Sequence, residues 1–345
     1  MKRKIYMVFV FFAVMLLLAA CSGTISDSAS DQEESSIELN AMDTYMALRA
    51  YGENRNEALD AAKTEIERLD DMWSVGKEDS EVSILNESQE GEVSDETIEL
   101  IECAQKISEE TGGAFDITIY PLMDLWGFTT KEYQVPEESS IQEILMNKMG
   151  MDKVTVDKST HTVTLSDGAQ IDFGGVAKGY TSQSIAKIFE DYGVEHGIIS
   201  LGGNIQAIGT RIDGSRWRVG IEAPNDHFDM VGTYEAEDEA IITSGAYERY
   251  FEEGGKTYHH ILDPETGKPA ESDLISVTIV SNNGTEADCL STALFVLGKE
   301  KAIAYWKEHS TEFDFILVDE KNHIYISEGI ENHFESSYDY EEVKK

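Results

Sequence analysis

Short apolar alternation and longer helical periods succeed one another along most of this chain. A strand is predicted over Asp43–Tyr51 and a helix from about Glu57 to Trp73. After the polar loop SVGKEDSEVSILN, a second helix spans Asp95–Glu110, apolar at Ile98, Ile101 and Ile107 and stopped by Gly112-Gly113. VTVDKSTHTVTL alternates as a hairpin. QIDF enters GGVAKG, and a helix follows from about Tyr180 to Tyr192, with Lys178 just ahead of it. IISLGGNIQAIGT reads as strand, glycine pair, strand; ITSGAYERYFEE, KTYHHIL and LISVTIVS read as strands joined by turns. One last helix runs from Ala287 into AIAYWKEH. Strands in blocks with helices interspersed predict an α+β fold, mixed or antiparallel sheets flanked by helices, not a regular βαβ winding.

The ends depart from this pattern. Lys2-Arg3-Lys4 followed by the apolar run Ile5–Leu18 is a leader, shorter than the roughly 20 residues a membrane span needs. Leu18-Ala19-Ala20-Cys21 looks like a bacterial lipobox, which implies a signal peptide over 1–20 and a lipidated Cys21. Residues 21–37, rich in Ser, Asp and Glu, read as a disordered tether. The body, 38–334, shows no fixed-period repeat and no internal linker, and is expected to form one large domain or two closely packed lobes. The tail 335–345 is acidic and expected to fray.

Charge narrows the partners. The net charge is -40, and loss of the three leader cations makes it about -43. Nucleic acid and anionic lipid surfaces would be repelled, which favours a body held near a membrane only by its lipid; with the leader, the expected location is the extracytoplasmic face of the cell membrane. Of three cysteines, one belongs to the lipobox; Cys103 and Cys289 sit in apolar helical surroundings and read as buried thiols. No CxxC supports a structural zinc site.

Three segments carry chemistry. In GTEADCLSTALFVLG, Thr285 is a suitable N-cap, which would put Asp288 at N3 to satisfy helix N–H groups. Asp288 and Thr292 also stand at i and i+4, one helix face, in a helix apolar enough to be buried. A buried carboxylate needs a partner, and a hard cation such as Mg²⁺ is one. IDFGGVAKGY and SLGGN each bring glycines close to a helix or strand, where backbone could approach phosphate; neither is a Walker A loop. In TYHHILDPETGKP, His259 and His260 are adjacent, so on a strand they point to opposite faces and cannot share a metal. Asp263-Pro264-Glu265-Thr266-Gly267 is a turn signature.

Taken in order, TGGAFDITIYPLMDLWGF (111–128), DFGGVAKGY (172–180), SLGGN (200–204), TSGAYERY (243–250), HHILDPETGKP (259–269) and DCLSTALFVLG (288–298) resemble the ApbE family of FAD:protein FMN transferases, over nearly the whole body from Met42 onward. H-x-x-D-P-x-T-G and D-x-x-x-T-A are the most specific parts. The resemblance implies an ApbE-like α+β fold and a magnesium-dependent enzyme that splits FAD and places FMN on a Ser or Thr of a target flavoprotein. It implies one or two Mg²⁺ ions, with ligands at Asp288, Thr292 and the Gly175 carbonyl, and FAD contacts at Met42, Ala114, Phe115, Asp116, Asp172, Lys178, Ser244 and Ile261. His260 would be the base, with Asp172 assisting, and His259 its solvent-side neighbour. The acceptor would carry a motif like D-x-x-[ST]-G-A-[ST].

Two positions depart from the family pattern. Many relatives have Met-Gly-Thr where this chain has Met42-Asp43-Thr44, and an aromatic residue near Gly76, which Trp73 or Tyr120 would have to replace as a flavin-stacking surface. Other readings of the same segments are a Mg²⁺-dependent FAD pyrophosphatase, a non-catalytic flavin-carrying lipoprotein and a solute-binding lipoprotein.

Overall fold

The computed structural model describes residues 33–224 and 226–345, with the backbone only for 226–228; Cys21 and the leader lie outside the described residues. Nine strands form the central sheet, and their order across it follows the chain: Glu34–Ala41, Thr44–Tyr51, His196–Leu201, Asn204–Ile208, Ala240–Gly245, Leu274–Ser281, Asp314–Asp319, Ile324–Ser327 and Tyr340–Val343. All neighbours are antiparallel except the last pair. The helices are α1 (Arg55–Trp73), α2 (Glu81–Ser88), α3 (Asp95–Glu110), α4 (Tyr120–Leu125), α5 (Glu138–Asn147), α6 (Ala177–Asp191), α7 (Gly284–Leu297) and α8 (Lys299–His309). The architecture is the α+β fold expected.

Strand alternation divides the sheet's two faces. Ile242, Val277, Ile279, Phe315 and Leu317 face a core shared with α3, α7 and α8. Ile241, Val280, Ile316 and Val318 face the opposite core, covered by the three-stranded sheet of Trp217–Ala223, Asp226–Ala236 and Phe334–Glu335. The first core extends without interruption into Val93, Ile98, Val163 and Leu165, around the small sheet of Glu90–Glu92, Thr162–Leu165 and Val154–Asp157. The two lobes therefore share one core.

Several expectations are corrected. The tether ends earlier than expected: Glu34–Ala41 pairs in full register with Thr44–Tyr51, and its Ile37, Leu39 and Ala41 pack under α1. The tail is not frayed, because Tyr340–Val343 lies parallel to Ile324–Ser327 and buries Val343. The last helix is two helices, broken at Gly298, whose positive φ of 75° closes α7 and opens α8. Helix α6 starts at Ala177, so Lys178 stands in its first turn and not ahead of it.

Candidate active site

The site forms where α6 crosses α7. Gly179 makes that crossing possible: a Cβ there would stand 2.2 Å from the Gly284 carbonyl oxygen and 2.7 Å from the Asp288 Cβ. Asn283, not Thr285, caps α7 by accepting the Glu286 N–H at 3.1 Å, so Asp288 lies past the first turn and has no capping role. Its carboxylate, 3 % exposed, reaches sideways instead. One oxygen accepts the Gly179 N–H at 2.8 Å and the other accepts Asn204 Nδ2 at 3.0 Å. Asp288 thus joins α6, α7 and the SLGGN loop, and each carboxylate oxygen keeps acceptor capacity for one further partner.

One turn further on, Thr292 Oγ1 lies 3.2 Å from Ser244 Oγ, which in turn lies 2.8 Å from Ser291 Oγ. Gly175 closes the group: a Cβ built there would be 3.7 Å from Thr292 Oγ1 and 2.9 Å from the Phe115 ring. The structure therefore brings together Phe115, Gly175, Ser244, Asp288 and Thr292, from four separate segments. Among the described residues no group of three His, Cys, Asp or Glu side chains is placed to hold a metal. One carboxylate, one hydroxyl and one carbonyl form a sparse, all-oxygen donor set. It suits Mg²⁺, which keeps waters and shares substrate phosphates, and does not suit zinc.

The second wall carries the titratable groups. His260 follows the strand Lys256–His259; its N–H donates to the Arg249 carbonyl at 3.0 Å and its Nδ1 lies 3.2 Å from the same oxygen. A carbonyl only accepts, so Nδ1 carries the proton and Nε2 the lone pair. Burial, with help from the cations Arg249 and Lys178, pushes the imidazole down to about 3, so it is neutral at any ordinary pH. His259 is not a solvent-side neighbour. Its ring packs edge-on against Phe295 of α7, its Nε2 faces the Ala270 carbonyl at 3.3 Å, and its Nδ1 is buried without a hydrogen-bond partner.

Asp172 holds the loop ahead of α6 by accepting the Gly174 N–H at 2.6 Å. Burial raises its carboxyl, against the pull of that N–H and of Arg249 and Lys178. Lys178 lies in the field of Asp172, Glu248 and His260.

Two residues of this wall were not anticipated. Arg249 donates Nη2 to the Phe128 carbonyl at 2.7 Å while its own carbonyl seats His260. Glu248 is exposed by surface area; the protein packed around it raises its carboxyl to about 7, opposed by Lys178. The signal was present: Glu248 and Arg249 stand in TSGAYERY, a segment already singled out.

The remaining candidates divide. Ala114 and Phe115 are buried, and the Phe115 ring lies beside Gly175. Asp116 uses one carboxylate oxygen to cap the short helix Ile117–Ile119, accepting from both Thr118 N–H (2.7 Å) and Thr118 Oγ1 (2.6 Å). The Ile261 side chain is buried in the core and its carbonyl accepts the Ala270 N–H. Met42 lies in the turn between the first two strands, its sulfur 3.7 Å from Thr181 Oγ1 of α6. Next to it, Asp43 pairs with Lys131 at 3.1 Å, joining that turn to the loop after α4. Trp73 cannot serve as the stacking surface, since it is 4 % exposed, bonds Thr97 Oγ1 through Nε1 and packs on Phe173 and Tyr180. Tyr120, half-buried and close enough to Asp172 to feel its charge, is better placed. The Asp-Pro turn is as expected: Asp263 accepts the Gly267 and Glu265 N–H groups.

The model of the ApbE family matches residues 42–317. An FAD:protein FMN transferase of Klebsiella pneumoniae (strain 342) is 33% identical over 76% of this chain and 82% of that protein. One of Treponema pallidum (strain Nichols) is 32% identical over 86% of this chain and 87% of that protein. The crystal structure of the ApbE protein from Thermotoga maritima MSB8 superposes with a TM-score of 0.81 at 32% identity, covering 87% of this chain and 99% of that one.

Proposed function

The chain belongs to the ApbE family, and we propose that it transfers FMN from FAD to a Thr or Ser hydroxyl of a target flavoprotein. The acceptor oxygen attacks the FMN-side phosphorus, the P–O–P bridge breaks, AMP leaves with the bridging electron pair, and the hydroxyl proton passes to His260. The observation that carries this reading is the placement of His260: the Arg249 carbonyl fixes its ring through Nδ1, which leaves the lone pair on Nε2.

A base that titrates near 3 is a weak one before substrate arrives. The causes are burial and the facing cations, and a diphosphate seated against Lys178 and Arg249 would neutralise the latter and raise the imidazole. Those two cations also offset, locally, the repulsion that a net charge of -40 imposes on an anionic substrate. Asp172 acts through the backbone: holding the Gly174 N–H, it sets the loop that presents Gly175. Asp288, Thr292 and the Gly175 carbonyl would hold Mg²⁺, one ion or two, which when bound supplies charge neutralisation on the diphosphate. FAD would lie between this group and the Met42 turn.

We further propose that lipidated Cys21 tethers the protein to the outer side of the cell membrane, a reading supported by Leu18-Ala19-Ala20-Cys21. Among the described residues no helix is long and apolar enough to cross a membrane. Cys21→Ala should then release the protein from membrane pellets into the soluble fraction.

Incubation with FAD, Mg²⁺ and an acceptor domain bearing D-x-x-[ST]-G-A-[ST], followed by a denaturing gel, tests the transfer. A fluorescent acceptor band with AMP is expected. A dark band with free FMN and AMP would instead make the protein a pyrophosphatase, and retained FAD without AMP a flavin carrier.

A further inference from the structure

Two locally unfavourable features meet at one carboxylate. The two-residue turn Met42–Asp43 joins paired Ala41 and Thr44, and both turn residues are left-handed, with φ of 48° and 58°. Such turns favour Asn or Asp followed by Gly, so Met in first place is poorly suited to its own backbone. Asp70 stands in the last turn of α1, where the helix dipole disfavours an acid and no basic residue occurs. Met42 also donates its N–H, at 2.8 Å, to Asp70 Oδ1.

The other oxygen of Asp70 reaches a different segment. Lys77 Nζ donates to Asp70 Oδ2 at 2.5 Å and to Asp71 Oδ1 at 2.6 Å. Lys77 belongs to the loop between α1 and α2, next to Gly76. Asp70 therefore ties the strained Met42 turn to the Gly76 loop with one side chain. Local rules broken together at one place, with a compensating contact, mark a position kept for function.

We propose that Asp70 is a positioning residue for FAD: it holds the left-handed Met42 turn in the shape that presents Met42 to the flavin nucleotide, and through Lys77 it draws the Gly76 loop against that turn. The proposal rests on the reading that FAD binds beside Met42.

The test measures the FAD dissociation constant by quenching of flavin fluorescence, with full-length protein and no acceptor. Asp70→Ala should weaken FAD binding about ten-fold, the value of one hydrogen bond to a charged acceptor, while kcat at saturating FAD stays within about two-fold. Asp70→Asn keeps an acceptor for the Met42 N–H and should recover most of the affinity. Asp43→Gly, which suits the left-handed turn, should recover part of it in the Asp70→Ala background and do little in wild type. An Asp70→Ala protein with wild-type affinity, or one that loses kcat and keeps its KM, would overturn the proposal. If Asp70→Ala does not fold, Lys77→Met decides: it leaves the Met42 bond intact, should still weaken FAD binding measurably, and overturns the coupling if it does not. A wild-type protein that binds FAD yet never labels an acceptor would sink the transferase reading and leave this one standing.

Discussion

Replacing Asp288 with alanine should separate what this carboxylate does for the fold from what it does for the metal. In the fold, it is the acceptor for two buried donors, the Gly179 N–H at 2.8 Å and Asn204 Nδ2 at 3.0 Å. Each donor left unsatisfied costs about 1–3 kcal/mol, so the gross loss is about 2–6 kcal/mol. Relief of the buried charge returns part of this, leaving a net destabilisation of about 2–4 kcal/mol. For an ordered body of roughly 300 residues that corresponds to a melting point lower by about 3–6 °C. Calorimetry in EDTA reads this component without any metal. In FAD with Mg²⁺ at about one hundred times its Kd, wild type should gain about 2.7 kcal/mol over FAD alone. The variant should gain nothing from Mg²⁺ and release no AMP. A variant that melts with wild type in EDTA would refute the junction role. One that keeps Mg²⁺-dependent AMP release would refute the ligand assignment.

Further outcomes follow from the same wall. His260→Ala should leave FAD affinity within about three-fold and reduce transfer by about 10²–10⁴-fold. His259→Ala should lower the melting point through loss of its packing on Phe295, with transfer largely kept; the reverse pattern in labelling assays would mean the two rings are exchanged. Because His260 is held neutral far below its usual range, the unfolded chain binds more protons between about pH 3 and 6.5, so stability should fall as pH drops through that window, less steeply in His260→Ala. Glu248 is shifted the other way, to about 7, so the folded state binds the extra proton between about pH 4.5 and 7, and its own contribution to stability falls as pH rises there, opposing that of His260 below about pH 6.5. Glu248→Gln should abolish that slope and any inflection near pH 7 in kcat/KM; an inflection that persists belongs to another group. Gly179→Ala should cost about 1–3 kcal/mol or more in denaturant unfolding, since its Cβ meets backbone and no flexible side chain can yield.

The parts of the fold that could be read in the sequence are those whose local signals agree. Helix α3 is bounded as expected because Ser94 caps it and Gly112 and Gly113, both at positive φ, end it. The strand Glu34–Ala41 escaped because it is an edge strand, buried on one side through Ile37 and Leu39, and otherwise composed like a linker. Tyr340–Val343 escaped because its pairing with Ile324–Ser327 is a tertiary contact that four mostly polar residues do not announce.

The site divides in the same way. Asp288 and Thr292 declared themselves as polar residues on one face of an apolar helix, and the motif order supplied His260 and Gly175. What sequence could not give was direction. His259 alternates away from His260 as expected, but a second layer, Phe295 of α7, lies on that side where solvent was expected. Trp73 is turned into the core by its bond to Thr97. Arg249 and Asp70 act through contacts that involve main-chain atoms, the Arg249 carbonyl holding His260 and the Asp70 carboxylate holding the Met42 N–H, and no residue pattern encodes such contacts.

The most direct measurement of the central claim is the intact mass of an acceptor domain after incubation with this protein, FAD and Mg²⁺. Covalent FMN on one Thr or Ser, formed in step with AMP and absent with His260→Ala, is the expected result. An acceptor of unchanged mass alongside free FMN and AMP would contradict it.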